Sequence, residues 1–205
     1  MRPMRRNFLV SLAALAAAPG AVLAHDKHAP APASPRTGAV PIRLDLPDAP
    51  LSDQDGRQVR LRSDVLAGRI VVVDFIYTTC TTICPIYSAT MAELQRRLGA
   101  RAGQDVQLVT VTVDPLRDTP RRLKEYASRH TDRTEGWAFL TGTKPNVDAV
   151  NKGFGSYTPN VDDHPPMVIV GDAGSGDWTR FYGFPGAAEL ERRVHELLLA
   201  RARSS

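Results

Sequence analysis

Cysteine is scarce in this sequence, since only Cys80 and Cys84 occur among 205 residues. In an exported protein the ordinary interpretation of two cysteines is one structural disulfide. A bridge across three intervening residues closes a very small loop, however, and so removes little entropy from the unfolded chain. The spacing therefore favours reversible chemistry at this pair over a purely structural bridge.

A long apolar run is also missing. The apolar stretch from Phe8 to about Ala18 is shorter than the roughly 20 residues that a membrane-spanning helix needs, and proline and glycine follow it directly. Three arginines and no acidic residue precede it, and small residues end at Ala24, which is the three-part layout of a signal peptide. We therefore expect residues 1–24 to be a signal peptide cleaved after Ala24, with an uncleaved membrane anchor as the alternative.

The leader predicts the compartment of the protein. Residues 5–9, Arg-Arg-Asn-Phe-Leu, are similar to a twin-arginine export signal, although adjacent arginines also occur in ordinary basic leaders. Either route predicts a periplasmic protein, or a membrane-anchored one if the leader is retained. Residues 25–41 are rich in Ala and Pro without helical or strand periodicity, so they predict a flexible tether ahead of one domain over residues 42–205.

The chain carries little excess charge of either sign. Its formal net charge is +4, and removing the three arginines of the leader lowers it to +1, because the leader contains no Asp or Glu. This balance provides no electrostatic case for a nucleic-acid partner.

The predicted domain alternates strand and helix patterns. The continuous apolar run over residues 70–76 is typical of a central strand buried on both faces. The other predicted strands are 58–61, 106–113, 137–140, 167–170 and 178–182, the last two forming a hairpin. The predicted helices begin at Pro85 and at Pro120, which Thr119 caps, and cover 147–152 and 187–201. This order predicts an α/β domain of thioredoxin-like fold, with a central mixed sheet flanked by helices.

Both cysteines lie where a buried strand leads into a helix. In helical geometry a separation of four residues places both side chains on one face, about 5–6 Å apart at Cβ, which suits a shared metal ion. A disulfide needs Cβ atoms about 3.8 Å apart, so an oxidised Cys80–Cys84 bridge requires a local departure from the ideal helix. A helix N-terminus also favours the thiolate form, which binds soft metals and attacks disulfides.

Two thiolates leave a metal site incomplete, and His164 is the best-placed third ligand. It lies just before a predicted strand, in a loop that a thioredoxin-like chain brings beside the cysteine loop, and a neighbouring carboxylate can orient its ring. The remaining histidines occupy ordinary positions: His130 ends a predicted helix, His195 lies on a polar helix face, and His25 and His28 lie in the tether. As a new N-terminus, His25 could chelate copper through its amine and ring, so a tether site is an open alternative.

Three segments, in this order, resemble the Sco/SenC family of copper-binding, thioredoxin-like proteins that help assemble the dinuclear copper centre of cytochrome c oxidase. They are Tyr-Thr-Thr-Cys-Thr-Thr-Ile-Cys-Pro at 77–85, Val-Asp-Pro-Leu-Arg-Asp-Thr-Pro at 113–120, and Val-Asp-Asp-His at 161–164. The resemblance covers roughly residues 41–199.

The resemblance implies a role for each landmark. Cys80 and Cys84 correspond to the family's paired copper-binding cysteines, and His164 to the histidine that completes the site. Asp114-Pro115 would support the neighbouring loop rather than bind metal. Thr81 and Thr82 stand where Pro and Asp more commonly follow the first cysteine, a departure that bears on partner choice and redox tuning.

Copper is the metal that this ligand set favours. Two thiolates and one imidazole suit Cu(I), whereas structural Zn²⁺ usually takes four protein ligands. We therefore predict an exported copper chaperone that binds Cu(I), with Cu(II) as a further form, and delivers it to the CuA centre of an oxidase subunit. A copper donor or a thiol reductant would be a second partner, and membrane contact would come through the acceptor or an uncleaved leader.

Two other functions use the same residues. A thiol-disulfide oxidoreductase would use Cys80 as the attacking thiol and Cys84 as the resolving thiol, and this enzyme class needs no histidine. The usual redox motif is C-x-x-C, so the additional residue here and the presence of His164 both count against it. A copper-buffering or copper-sensing protein would bind the metal without donating it, and the sequence does not separate a buffer from a chaperone.

Overall fold

A computed structural model describes residues 38–204, so the predicted leader and the tether up to residue 37 lie outside the described residues. The strands are β1 Gly38–Ile42, β2 Pro50–Ser52, β3 Gln58–Arg60, β4 Ile70–Ile76, β5 Val106–Thr112, β6 Trp137–Leu140, β7 Met167–Asp172 and β8 Asp177–Tyr182. The helices are α1 Cys84–Leu98, α2 Pro120–Ala127, α3 Lys144–Phe154 and α4 Ala187–Ser204. Short helical turns cover Leu61–Leu66, Gly99–Arg101 and Val161–Asp163.

Six strands form one mixed sheet in the order β1-β8-β7-β4-β5-β6, and β2 and β3 form a separate small hairpin. Strand β4 is parallel to β5 and antiparallel to β7. Its side chains alternate between two apolar clusters: Val72 and Ile76 pack with residues of α1, α2 and α4, while Val71 and Val73 pack with residues of α3. Helices therefore cover both faces, and the predicted thioredoxin-like α/β fold is confirmed.

The helices differ from the prediction at several ends: α1 begins at Cys84 rather than Pro85, and α4 continues to Ser204 rather than residue 201. Helix α3 runs from Lys144 to Phe154, beyond the predicted residues 147–152. The helical spacing of Ile86, Met91, Leu94 and Leu98 indicates one buried face of α1, yet Ile86 is 50% exposed, because the helix buries Cys84, Tyr87 and Met91 instead. Over residues 38–204, none of the helices combines the length and apolar composition that crossing a bilayer requires.

The boundary between tether and domain also differs from the prediction. Residues 38–41, assigned to the tether, belong to β1, which pairs antiparallel with β8. Four of the five residues of β1 are exposed, so this edge strand has no buried face to produce an apolar pattern. The domain therefore begins no later than Gly38.

Three loops meet at one edge of the sheet. The parallel strands β4 and β5 end there, and the antiparallel strand β7 begins there, with Val168 opposite Asp74. The loop after β4 carries the cysteines, the loop after β5 carries Asp114-Pro115, and the loop before β7 carries His164. The strand order therefore brings together the three landmark segments of the sequence.

Candidate metal centre

The two cysteines are joined by a tight turn. Cys80 precedes α1, and its backbone N–H donates to the carbonyl oxygen of Tyr77 at 3.1 Å. Cys84 is the first residue of α1, and its backbone N–H donates to the Cys80 sulfur at 3.4 Å. Both side chains are buried, and both thiols are free. The pair is thus brought together by the turn into the helix, rather than by a shared helix face.

The two thiols differ in acidity. Burial raises the pKa of the Cys80 thiol, but hydrogen bonds from the side chain and backbone of Cys84 and from Thr82 outweigh it and bring this pKa to about 7. Burial, with the adjacent Cys80 sulfur, holds the pKa of Cys84 far above the usual range for a thiol. Cys80 is therefore the more acidic thiol of the pair and is partly ionised near neutral pH, while Cys84 keeps its proton.

Thr82 contacts the Cys80 sulfur directly. Its hydroxyl oxygen lies 3.8 Å from the Cys80 sulfur. A hydroxyl can donate to a thiolate, whereas a nearby carboxylate would disfavour the negative charge. The Thr82 side chain therefore favours the ionised form of Cys80.

His164 is buried at the end of the helical turn Val161–Asp163. Its Nδ1 lies 2.8 Å from the carbonyl oxygen of Val161. Because a carbonyl oxygen can only accept, Nδ1 carries the proton in this contact and Nε2 keeps the lone pair that a metal requires. A carboxylate was expected to orient this ring, and the structure uses the Val161 carbonyl for that purpose.

Tyr77 interacts both with Cys80 and with the loop that carries His164. Its hydroxyl donates to Asp162 at 2.7 Å, and its ring meets the His164 ring edge-on, with centroids 5.8 Å apart. The hydrogen bond to Asp162, burial and the Cys80 sulfur together raise the pKa of the Tyr77 phenol. The side chain therefore lies against both Cys80 and the histidine loop.

The predicted ligands are only partly assembled. Among residues 38–204, no three His, Cys, Asp or Glu side chains are close enough to one another to hold one metal ion. The cysteines are adjacent, whereas His164 is connected to them through Tyr77. A three-ligand site would require the histidine loop or the cysteine loop to move.

Asp118 anchors the start of the cysteine loop. It is 1% exposed and accepts hydrogen bonds from the backbone N–H of Thr78 at 3.1 Å, from the Thr78 hydroxyl at 2.5 Å and from the Thr112 hydroxyl at 2.5 Å. Asp114 instead pairs with the guanidinium of Arg117 at 2.9 Å. The support expected from Asp114-Pro115 therefore comes from Asp118 in the same segment.

The sequence pattern alone assigned no role to Tyr77 or Asp118, although both lie inside the landmark segments. Asp118 stands just before the helix cap Thr119, where a polar residue is common for purely local reasons. The sequence did contain a signal, because the Tyr77 phenol precedes the first cysteine and the Asp162 carboxylate precedes His164. Only the fold shows that these two side chains meet.

The other described histidines lie outside this arrangement. His130 follows α2 and packs on the Tyr126 ring, with centroids 4.7 Å apart. His195 is exposed on α4. His25 and His28 lie outside the described residues.

Comparison with known proteins identifies relatives of this chain. The family SCO1/SenC matches residues 49–173. The chain is 38% identical over 102 residues to a SCO1 protein homolog of Bacillus subtilis (strain 168), which is 50% of this chain and 51% of that protein. It therefore spans about half the length of the curated relatives that it matches.

Solved structures of similar fold superpose on a larger share of this chain than the sequence relatives cover. BsSco, described as a member of the Sco family of cytochrome c oxidase assembly proteins, has a TM-score of 0.64 and 26% identity, covering 77% of this chain and 95% of that one. ScoI of Bradyrhizobium japonicum with copper bound has a TM-score of 0.58 and 27% identity, covering 70% and 96%. The family match extends over more than half of the sequence and includes Cys80, Cys84 and His164. This chain belongs to the SCO1/SenC family.

Proposed function

We propose that this protein is an exported copper chaperone that binds Cu(I) through Cys80, Cys84 and His164 and delivers it to the CuA centre of cytochrome c oxidase. The observation that carries the proposal is the placement of a thiol pair and a histidine with a free Nε2 lone pair on neighbouring loops of one sheet edge. Relatives support the metal and the acceptor, since ScoI of B. japonicum holds copper and BsSco belongs to a family of oxidase assembly proteins.

The acidity of the two thiols suits capture of a soft cation in steps. Cys80 supplies a thiolate near neutral pH, and Cys84 releases its proton as the metal arrives, because thiolate is the form that binds copper. His164 then completes the site as a neutral imidazole. A site closed by loop movement can also reopen, which suits transfer to an acceptor.

A thiol-disulfide oxidoreductase is the second candidate, and the same asymmetry of the thiols favours it. Reduction of a target disulfide needs one thiolate that attacks and a second thiol that resolves the mixed disulfide. Cys80 fits the first role and Cys84 the second. The imidazole of His164 has no part in this chemistry, so a variant of His164 distinguishes the two functions.

The test is Cu(I) titration of the reduced protein, with X-ray absorption to identify the ligands. We expect one Cu(I) per chain with two sulfur ligands and one nitrogen ligand. His164→Ala should lose the nitrogen ligand and bind Cu(I) at least about tenfold more weakly, because the loss of even an outer-shell partner of a ligand costs about 10- to 100-fold. Transfer to a CuA-domain acceptor should be impaired and thiol exchange retained. His195→Ala, an exposed histidine on α4, is the matched control.

The chaperone assignment fails if His164→Ala transfers copper normally to that acceptor. Unchanged Cu(I) affinity in Cys80→Ser would exclude the thiol pair as the metal site. Cys84→Ser, which removes half of the pair, should abolish both copper transfer and completed thiol exchange, and thus calibrates both assays.

A further inference from the structure

Tyr77 is the residue that contacts both loops of the candidate site. It lies directly after β4, and its carbonyl oxygen accepts the backbone N–H of Cys80 at 3.1 Å. Its hydroxyl donates to Asp162 at 2.7 Å, two residues before His164. Its ring meets the His164 ring edge-on. One side chain thus connects the cysteine loop to the histidine loop.

The backbone next to Tyr77 is held in place by hydrogen bonds to the loop after β5. Asp118, buried in the loop after β5, holds both the backbone N–H and the hydroxyl of Thr78. The Tyr77 backbone is therefore tied to two neighbouring strands. Asp162, in contrast, is exposed on the short helical turn before His164. Its hydrogen bond to Tyr77 ties that exposed turn to the anchored end of β4.

We propose that Tyr77 is a positioning residue: the hydrogen bond from its hydroxyl to Asp162 holds the histidine loop against the cysteine loop and thereby sets the approach of His164 to bound Cu(I). The proposal rests on the function proposed above. Copper binding by three ligands must still shift one loop against the other, but a histidine loop that is tethered beside the cysteine loop samples fewer arrangements and therefore loses less conformational freedom on binding. Without the hydroxyl, the thiols keep their positions while the imidazole is held less firmly.

The direct test is Tyr77→Phe, which keeps the ring beside His164 and removes the hydroxyl. We expect Cu(I) affinity to fall by up to about tenfold, because the net free energy of the one hydrogen bond that is removed sets the scale of the loss, and the nitrogen contribution to the X-ray absorption spectrum to fall with it. The two sulfur ligands should remain. The spectrum is the decisive readout, because a general loss of stability does not change the ratio of nitrogen to sulfur ligands.

Variants of Asp162 test the same hydrogen bond from the exposed side. Asp162→Ala should reproduce Tyr77→Phe, while Asp162→Asn keeps an acceptor oxygen and should retain most of the affinity. The double variant Tyr77→Phe/Asp162→Ala should be no worse than either single variant, since both remove one interaction. Asp163→Ala, at the adjacent carboxylate that accepts from Asn160, is the matched control.

The outcomes separate this inference from the proposed function. If the unaltered protein binds no Cu(I), or binds it without a nitrogen ligand, the proposed function fails. If the unaltered protein shows the nitrogen ligand and Tyr77→Phe shows it equally, with equal affinity, the role of Tyr77 is wrong. Additive losses in the double variant would also overturn it. Should Tyr77→Phe fold poorly, the Asp162 variants decide.

Discussion

At the scale of single residues, the environment differentiates two chemically identical side chains. Cys80 accepts hydrogen bonds at the start of α1, whereas the Cys84 side chain is buried beneath that helix among apolar residues. Donors stabilise a thiolate, and burial without enough of them stabilises a thiol. Near neutral pH Cys80 is therefore partly ionised, while Cys84 keeps its proton.

We predict that alkylation of the reduced protein by iodoacetamide modifies Cys80 before Cys84, with a rate that rises with pH through a midpoint at about 7. The sign follows because the thiolate is the nucleophile. Cys84→Ala removes a hydrogen-bond donor to Cys80 and should move this midpoint to higher pH. Peptide mass spectrometry reads the site and the rate; earlier modification of Cys84 would contradict the assignment.

At the scale of secondary-structure elements, the site depends on how strand ends are joined to loops. Asp118 connects the loop after β5 to the loop after β4 through three donors, two of them from Thr78. Its burial raises its pKa in spite of these hydrogen bonds. The carboxylate is thus an internal clamp between neighbouring loops, although it binds no metal in the proposed mechanism.

We predict that Asp118→Ala lowers the free energy of unfolding by on the order of 2–4 kcal/mol, because it leaves buried donors of Thr78 and Thr112 without their acceptor. Asp118→Asn keeps one acceptor oxygen and should be milder. Chemical denaturation measures the effect.

Asp114→Ala is the matched control for this clamp. The Asp114 side chain is buried like that of Asp118, but its carboxylate accepts from the 65% exposed guanidinium of Arg117 rather than from buried Thr donors, so its loss should destabilise the protein less. If Asp114→Ala destabilises the protein as much as Asp118→Ala does, the clamp is not specific to Asp118.

At the scale of the whole molecule, one buried carboxyl group makes stability depend on pH. Asp74 is fully buried in the central strand β4, where the hydroxyl of Thr110 donates to one carboxyl oxygen. The other oxygen has no hydrogen-bond partner among the described residues. Burial raises the pKa of Asp74 to about 7. The folded chain therefore holds this proton at pH values where the unfolded chain has released it.

We predict that the contribution of Asp74 to the free energy of unfolding falls by up to about 4 kcal/mol as the pH rises from about 4 to about 7. Above that range the contribution is constant. Asp74→Asn removes this slope, so the variant should gain stability over the parent at pH 8 and lose that gain progressively as the pH falls to about 4. Denaturation across pH measures both. Asp132→Asn, an exposed carboxylate, should leave the slope intact.

Much of this molecule was predictable from sequence, because the signals are local. The apolar run at 70–76 predicted a strand buried on both faces, and Thr119-Pro120 predicted the start of α2, where the Thr119 hydroxyl accepts from the backbone N–H of Arg122. Strand and helix periodicity, caps and turn residues are properties of neighbours in the chain. The ligand candidates Cys80, Cys84 and His164 likewise came from short segments.

Only the tertiary structure decided which side chains support those candidates. Tyr77 and Asp162 are 85 residues apart in the chain, and Thr78 and Asp118 are 40 apart. Their pairing depends on the order β7-β4-β5, which brings three loop ends to one sheet edge. Periodicity reports which face of a strand is buried, but it carries no information on which loops become neighbours. For the same reason the exposed edge strand β1, stabilised by hydrogen bonds to β8, was invisible in the sequence.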